Sequence, residues 1–414
     1  MFDHLLSAEQ KALRTEVRDL VREVPRDLLL AMDRDEVDFP TELLQEAGRR
    51  NLMGVRYPVA VGGRGMDWTS TVMVMEEMGV LGYIVACTFG VGAELCCDAV
   101  VLHGTDEQKQ RFVAPLLRGE CFAAECLTEP TGGSDFFDTR TVAVDRGDHF
   151  VLNGQKRFIV GGTAADWFLV YARTDPDAKP HQGITCFIVE RGEGVETPYV
   201  YGLMGCRGGG TSRVVFRDVK VPKANVLGRV NAGAAVFETM MIPERLGTAA
   251  MTVGAARPAL ELATRYAQRR KAFGRRIKNF QGVSFQLANA ATLLDASRTM
   301  CWNTALAVEA GEDPNRIRRY VSQTKKFVTE SCQQVAHHAM QVMGGIGYTT
   351  VYPVERTVRD LRLASIWTGT SEVMSMIIAH EWIREVEAAY ERGEIRDPEP
   401  DAEEAFAPGE KIFE

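Results

Sequence analysis

His149-Phe150-Val151-Leu152-Asn153-Gly154-Gln155-Lys156-Arg157-Phe158-Ile159-Val160 lies inside a 414-residue chain and interrupts its prevailing pattern. Two β-rich runs flank Asn153-Gly154, the pair that most strongly signals a hairpin, so a turn is expected there. Segments 166–174 (DWFLVYART), 183–191 (GITCFIVER) and 212–221 (SRVVFRDVKV) repeat the two-residue alternation between Pro, Gly and Asp turns. The middle of the chain therefore reads as all-β. Outside it the apolar period lengthens to that of a helix. Upstream, Leu13, Val17, Leu20 and Val24 recur at three- and four-residue spacing, and 41–51, 69–78 and 106–118 behave alike. Downstream, helical periodicity holds from Val236 to Ala389. A long helix is expected to start at Pro243, where a missing N–H costs least, and to reach Lys271. Helices at 285–309 and 315–343 follow. The expected division is an α-helical block 1–122, a β block 123–232, a helical bundle 233–390 and an acidic tail 391–414, an α+β chain.

Lys plus Arg number 48 against 56 Asp plus Glu, a net charge of −8, which argues against nucleic acid or an anionic membrane surface as partner. The first residues lack a cationic start followed by an apolar block, and no window holds about 18 uninterrupted apolar residues. Neither a secretory signal nor a membrane span is expected. The 9 cysteines form no Cys-x-x-Cys pair and the 7 histidines do not join them at ligand spacing. Reduced, buried thiols, no metal and a cytoplasmic location are the expectation.

Chemistry concentrates in a few segments. Leu127-Thr128-Glu129-Pro130-Thr131-Gly132-Gly133-Ser134-Asp135 opens the β block, and its adjacent glycines suit close approach to a phosphate. Arg269-Arg270-Lys271-Ala272-Phe273-Gly274, then Gln281, follows the long helix. Gln341-Val342-Met343-Gly344-Gly345-Ile346-Gly347-Tyr348 ends another. Tyr352-Pro353-Val354-Glu355-Arg356 leads to Ile366-Trp367-Thr368-Gly369-Thr370-Ser371-Glu372. Singly each has a local account as a helix cap or turn. Together, in this order, the chain resembles the acyl-CoA dehydrogenases over about residues 1–390.

The resemblance implies an N-terminal helical domain, a middle β-domain and a C-terminal four-helix bundle. It also implies FAD, an acyl-CoA substrate, an electron-transfer flavoprotein as partner, and a homotetramer built as a dimer of dimers. It assigns Cys126, Leu127, Thr128, Gly133, Ser134, Phe158, Ile159 and Val160 to the flavin side. Arg270, Phe273, Gln281, Gln341, Gly344, Gly345, Thr370 and Glu372 fall on the pyrophosphate and adenosine side, across a subunit contact. On the substrate side it places Ser134, at the pantetheine arm of CoA, with Arg245, as a support of local structure, and Gly369.

Two departures sharpen the expectation. The family's usual glutamate in Tyr-Glu-Gly-Thr is replaced by Thr368, which cannot act as a base near neutral pH. A subgroup similar to isovaleryl-CoA and long-chain acyl-CoA dehydrogenases carries its base before a matched arginine, here Glu244 in Ile242-Pro243-Glu244-Arg245. The competing account of Glu244 is a solvated carboxylate in a first helical turn. Val160 replaces a hydroxyl that bonds the flavin in relatives, which keeps an oxygen-using oxidase or monooxygenase open beside the dehydrogenase. A non-catalytic scaffold is the third reading. The Thr368 N–H is expected to polarise the thioester carbonyl while Glu244 takes the α-proton. A base on the long helix suits branched or bulky acyl groups. Arg56 and Arg207 are candidate partners for a dicarboxylic one.

Overall fold

The computed structural model describes residues 3–395, so positions 396–414 of the expected acidic tail lie outside the described residues. Helices Ala8–Glu23, Arg26–Asp33, Thr41–Arg49 and Trp68–Gly79 lead into a fifth, Tyr83–His103, which widens by one residue per turn over Val91–Cys96. This fifth helix is long and apolar enough to cross a membrane, yet 94% of its most apolar window is buried inside the protein. Its mixed small and aromatic sequence packs on every side, which is why no single apolar stripe marked it.

The β block comprises β1 (Ala123–Cys126), β2 (Val142–Asp145), β3 (His149–Ile159), β4 (Trp167–Arg173), β5 (Ile184–Glu190), β6 (Val195–Val200), β7 (Ser212–Pro222) and β8 (Val226–Leu227). They form one sheet in the order β6-β7-β3-β2-β4-β5-β8, with β1 added parallel to β4. Alternation divides the side chains between two cores. Ala124, Cys126, Phe168 and Val170 fill the sheet's own core, whereas Ala123, Leu169, Tyr171, Cys186 and Ile188 pack with the helices. Glu125, opposite Leu169 in the β1–β4 register, falls on the helix-facing side.

Two sequence expectations fail here. Asn153-Gly154 is no hairpin turn: β3 runs straight through it beside β7, with a shift of register between Leu152 and Gly154. The Asn153 amide donates to Asp218 (2.9 Å) and its carbonyl accepts the Asp218 N–H (2.9 Å), so cross-strand bonds stitch the bulge. Gly154 has φ +154°, and a Cβ there would sit 2.4 Å from Thr141 Oγ1. The glycine serves a close approach, not a turn. The actual turn between β2 and β3 lies at Arg146-Gly147-Asp148, with Gly147 at φ +96°.

The second failure concerns Pro243. The long helix spans Gly233–Arg269 and contains it. Tertiary packing of Val236 and Met240, both 1% exposed, outweighs the single hydrogen bond a mid-helix proline removes. Glu244 is thus about three turns inside the helix, and a first-turn role in capping is excluded. Gln281–Glu309, Pro314–Met343 and Ser371–Glu391 complete the bundle, with Val354–Ala364 between the last two.

Candidate functional site

The loop after β1 is held by a buried latch. The Glu129 carboxylate accepts from the Arg140 N–H (2.7 Å), the Thr141 N–H (3.0 Å) and Thr139 Oγ1, and pairs with Lys156 Nζ at 2.8 Å. Lys156, 0% exposed, also donates to the Leu127 carbonyl (3.1 Å) and Thr139 Oγ1 (3.0 Å). Burial pushes the Glu129 carboxyl up, but Lys156 and these donors outweigh it and hold it down at about 2. The latch fixes Leu127 and Thr128, and the Thr128 carbonyl accepts from the Arg157 N–H at 2.9 Å. Gly133 and Ser134 lie exposed on the loop. Val160 is half-buried beside the helix-facing core, and Phe158 is 49% exposed with a left-handed φ of +61°. The thiol of Cys126 and the side chain of Ile159 turn into the sheet core, leaving only their backbone for any cofactor.

A second cluster occupies the seam between sheet and bundle. Glu244 keeps some surface, but its burial raises the carboxyl to about 7 against the opposing charges of Arg245 and Lys325. Arg245 is 5% exposed and points inward, donating to Ser322 Oγ at 3.1 Å. Lys325, 0% exposed, donates to the Gly369 carbonyl at 2.6 Å. One ammonium therefore pins the Thr368-Gly369 turn and acts electrostatically on Glu244. Thr368 takes φ +54° and Gly369 φ +87°, and no described group accepts the Thr368 N–H. Trp367 Nε1 donates to the Tyr83 hydroxyl (2.7 Å), fixing the turn from the other side. A non-glycine residue held in this region stores strain of about 1–3 kcal/mol, which marks a constrained site.

A third group stands apart at the far end of the bundle. A small core of Ala263, Ala267, Ala339, Val342, Met343, Ile277 and Ile346 brings 270–281 and 341–348 together. Arg270, Gln281, Gln341, Gly344 and Gly345 are exposed there, and Phe273 is 95% exposed at φ +50°. A Cβ on Gly344 or Gly345 would meet nothing within 4 Å. An arginine, two amides, an aromatic ring and an open glycine turn match a pyrophosphate and a purine in chemistry, and all face outward. Thr370 caps the last helix, accepting from the Val373 N–H at 3.2 Å, with exposed Glu372 beside it.

Arg56 is closed off from any substrate, whereas Arg207 stays half-exposed. Arg56 is sequestered between Glu94 (3.1 Å) and Asp98 and stacks over Trp68 at 4.0 Å. Arg207 is spent on the Leu203 carbonyl (2.9 Å) and the Asp33 carbonyl (3.3 Å). Motif reading passed over Glu125, a half-buried acid just ahead of the glycine-rich segment. The signal was present in Ala123-Ala124-Glu125-Cys126: an acid at a position whose strand neighbours are all buried.

Three family profiles match the chain in succession: acyl-CoA dehydrogenase N-terminal domain at 7–120, middle domain at 124–219 and C-terminal domain at 231–383. The chain is 35% identical over 377 residues to the caffeyl-CoA reductase–Etf complex subunit CarC of Acetobacterium woodii, covering 90% of this chain and 98% of that protein. Butyryl-CoA dehydrogenase from Megasphaera elsdenii superposes with a TM-score of 0.88 at 31% identity, covering 91% of this chain and 99% of the other. PigA in its FAD complex superposes with a TM-score of 0.86 at 25% identity, over 91% and 98%.

Proposed function

The chain belongs to the acyl-CoA dehydrogenase family, and on that premise we propose that it converts an acyl-CoA thioester to the 2-enoyl-CoA with Glu244 as base. It is an FAD-dependent oxidoreductase acting on acyl-CoA. When bound, FAD supplies the acceptor for the hydride that leaves the β-carbon. The flavin-side residues are Leu127, Thr128, Gly133, Ser134 and Val160 with the backbone of Cys126, Phe158 and Ile159. Arg270, Phe273, Gln281, Gln341, Gly344 and Gly345 take the dinucleotide of a neighbouring subunit, and Thr370 and Glu372 contribute on the same side. Their outward exposure is what a site completed by a second chain requires.

The observation that carries the base assignment is the unpaired, half-buried carboxylate of Glu244 next to a turn that offers threonine in place of glutamate. A carboxyl raised to about 7 is half ionised at neutral pH and well matched to taking an α-proton. The Thr368 N–H is the oxyanion donor: Lys325 and Tyr83 hold its turn, so the donor is oriented before substrate arrives. Ser134 contacts the pantetheine arm of CoA, and Gly369 lies on the substrate side. Arg245 holds the helix and moderates Glu244 from behind.

The acyl group is branched, bulky or substituted, in keeping with a base carried on the long helix. Electrons pass to an electron-transfer flavoprotein, a partner supported by a relative named as a subunit of such a complex. A cytoplasmic homotetramer, divided at 122, 232 and 390, completes the reading. Anaerobic titration with straight, branched, aromatic and dicarboxylic acyl-CoA thioesters tests it, following the oxidised flavin band. Bleaching by one class establishes the half-reaction and names the substrate class. No bleaching with FAD bound overturns it. Bleaching that reverses at once in air selects the oxidase.

A further inference from the structure

Glu125 has no evident structural reason to be an acid. It sits on β1, opposite Leu169 of β4, on the face that packs against the helices. Among the described residues no side chain or N–H donates to its carboxyl. Two positions along β4 on the same face, Tyr171 is 0% exposed, and its hydroxyl finds no oxygen or nitrogen partner. Cys186, opposite Tyr171 on β5, is buried too. Across the seam the long helix presents Phe237, whose ring lies 6.4 Å from that of Tyr171, and two turns on, Glu244. Leu127, Val160, Phe237, Met241 and Trp367 are all only partly buried around this seam. The picture is an apolar seam with Glu244 on one side and, on the other, the half-buried Glu125 carboxyl and the Tyr171 hydroxyl, whose one polar neighbour is the Cys186 thiol.

Glu125 is half-buried, and a carboxyl on this apolar face without a protein donor is costly where Leu would fill the space without that cost. Burial and the Glu244 charge raise the Glu125 carboxyl to about 8, and the Lys156 charge offsets this only in part. Near neutrality Glu125 is therefore mostly protonated, with a free acceptor oxygen that no group among the described residues fills. An incoming anion would meet two acids, which disfavours a dicarboxylic acyl end.

Building on the dehydrogenase reading, we propose that Glu125 and the Tyr171 hydroxyl form a specificity-determining subsite of the acyl cleft that takes a hydrogen-bond donor carried on the acyl chain, a hydroxyl or an ammonium.

The test uses the FAD-loaded protein and four CoA thioesters of similar length: pentanoyl, 4-hydroxybutyryl, 4-aminobutyryl and succinyl. Binding is read from perturbation of the flavin band and turnover from its anaerobic bleaching. The hydroxy or amino ester should bind and react at least about tenfold better than pentanoyl, with succinyl last. Whichever of the two leads decides between neutral and cationic donor. Glu125→Leu should reverse the order in favour of pentanoyl, and Tyr171→Phe, which keeps the packing, should reduce the preference by about threefold. Preference for pentanoyl or succinyl in the parent, or a preference that survives Glu125→Leu, overturns the subsite alone. If none of the four binds or bleaches while a branched or aromatic thioester does, the subsite falls and the dehydrogenase reading stands; if no thioester of any class does, both fall.

Discussion

Glu125 and Glu129 are four residues apart, one near the end of a strand and half-buried, the other buried in the loop it feeds. Their carboxyls move in opposite directions, one to about 8 and the other to about 2. Glu129 has an ammonium at 2.8 Å, two backbone N–H groups and a hydroxyl. Glu125 has a second carboxylate across the seam and no donor. Burial alone raises both; the partners decide the sign. The paired acid works as a fastener for the loop, and the ones without a charged partner, Glu125 and Glu244, are those proposed to meet the substrate. Charge satisfied inside the protein is structural, and charge left unsatisfied is kept for something that arrives.

The contrast can be broken in four places. The largest effect is expected from Glu244→Gln, which should slow bleaching by the best thioester about 10³-fold while FAD content is kept. Bleaching at the parental rate would move the base elsewhere. Next, Glu129→Gln leaves Lys156 buried without its counter-charge and should cost about 3–5 kcal/mol in denaturant unfolding. An unchanged midpoint would show that the latch holds nothing. Because the folded Glu129 carboxyl is depressed, its contribution is present above its unfolded value of about 4.5 and is lost as pH falls towards about 2. Third, the bleaching rate should climb as pH rises through about 7, where Glu244 ionises, and fall again near about 8 as Glu125 becomes a second anion. Glu125→Gln should keep the rise and lose the fall; a fall that persists belongs to another group. Fourth and smallest is a stability effect. A carboxyl raised in the folded state stabilises fully below about 4.5 and loses that contribution as pH rises through about 8. Glu125→Gln should therefore raise Tm by about 2–4 °C above pH 8 and leave it unchanged near about pH 4. Equal shifts at both would point to packing.

How much of this was legible beforehand differs by element. The strands at β3, β4, β5 and β7 were visible because period-two alternation reports a sheet whose faces differ. The helix Tyr83–His103 was not, since a helix buried on all sides has no stripe to read. Asn153-Gly154 misled because turn propensity is local, whereas β7 lies more than fifty residues away and imposes the bulge through Asp218. Pro243 misled for the same reason. Glu244 was legible only as a substitution for the acid missing at 368, and its placement three turns inside a helix needed the fold. Arg56 looked like a substrate contact until Glu94 and Asp98 closed around it.

By itself, then, the sequence determined the order of helical, β and helical segments, the glycine and arginine motifs of the cofactor, and the absence of a carboxylate at Thr368. Those are properties of residue type and spacing along the chain. Only the tertiary structure decided which acids are paired and which are not. Lys156 reaches Glu129 from β3, Lys325 reaches Gly369 from a helix of the bundle, and the charge of Glu244 on the long helix acts on Glu125 of β1. The electrostatic environment of a carboxyl is set by what lies within several ångströms in space, and chain separation carries almost no information about that.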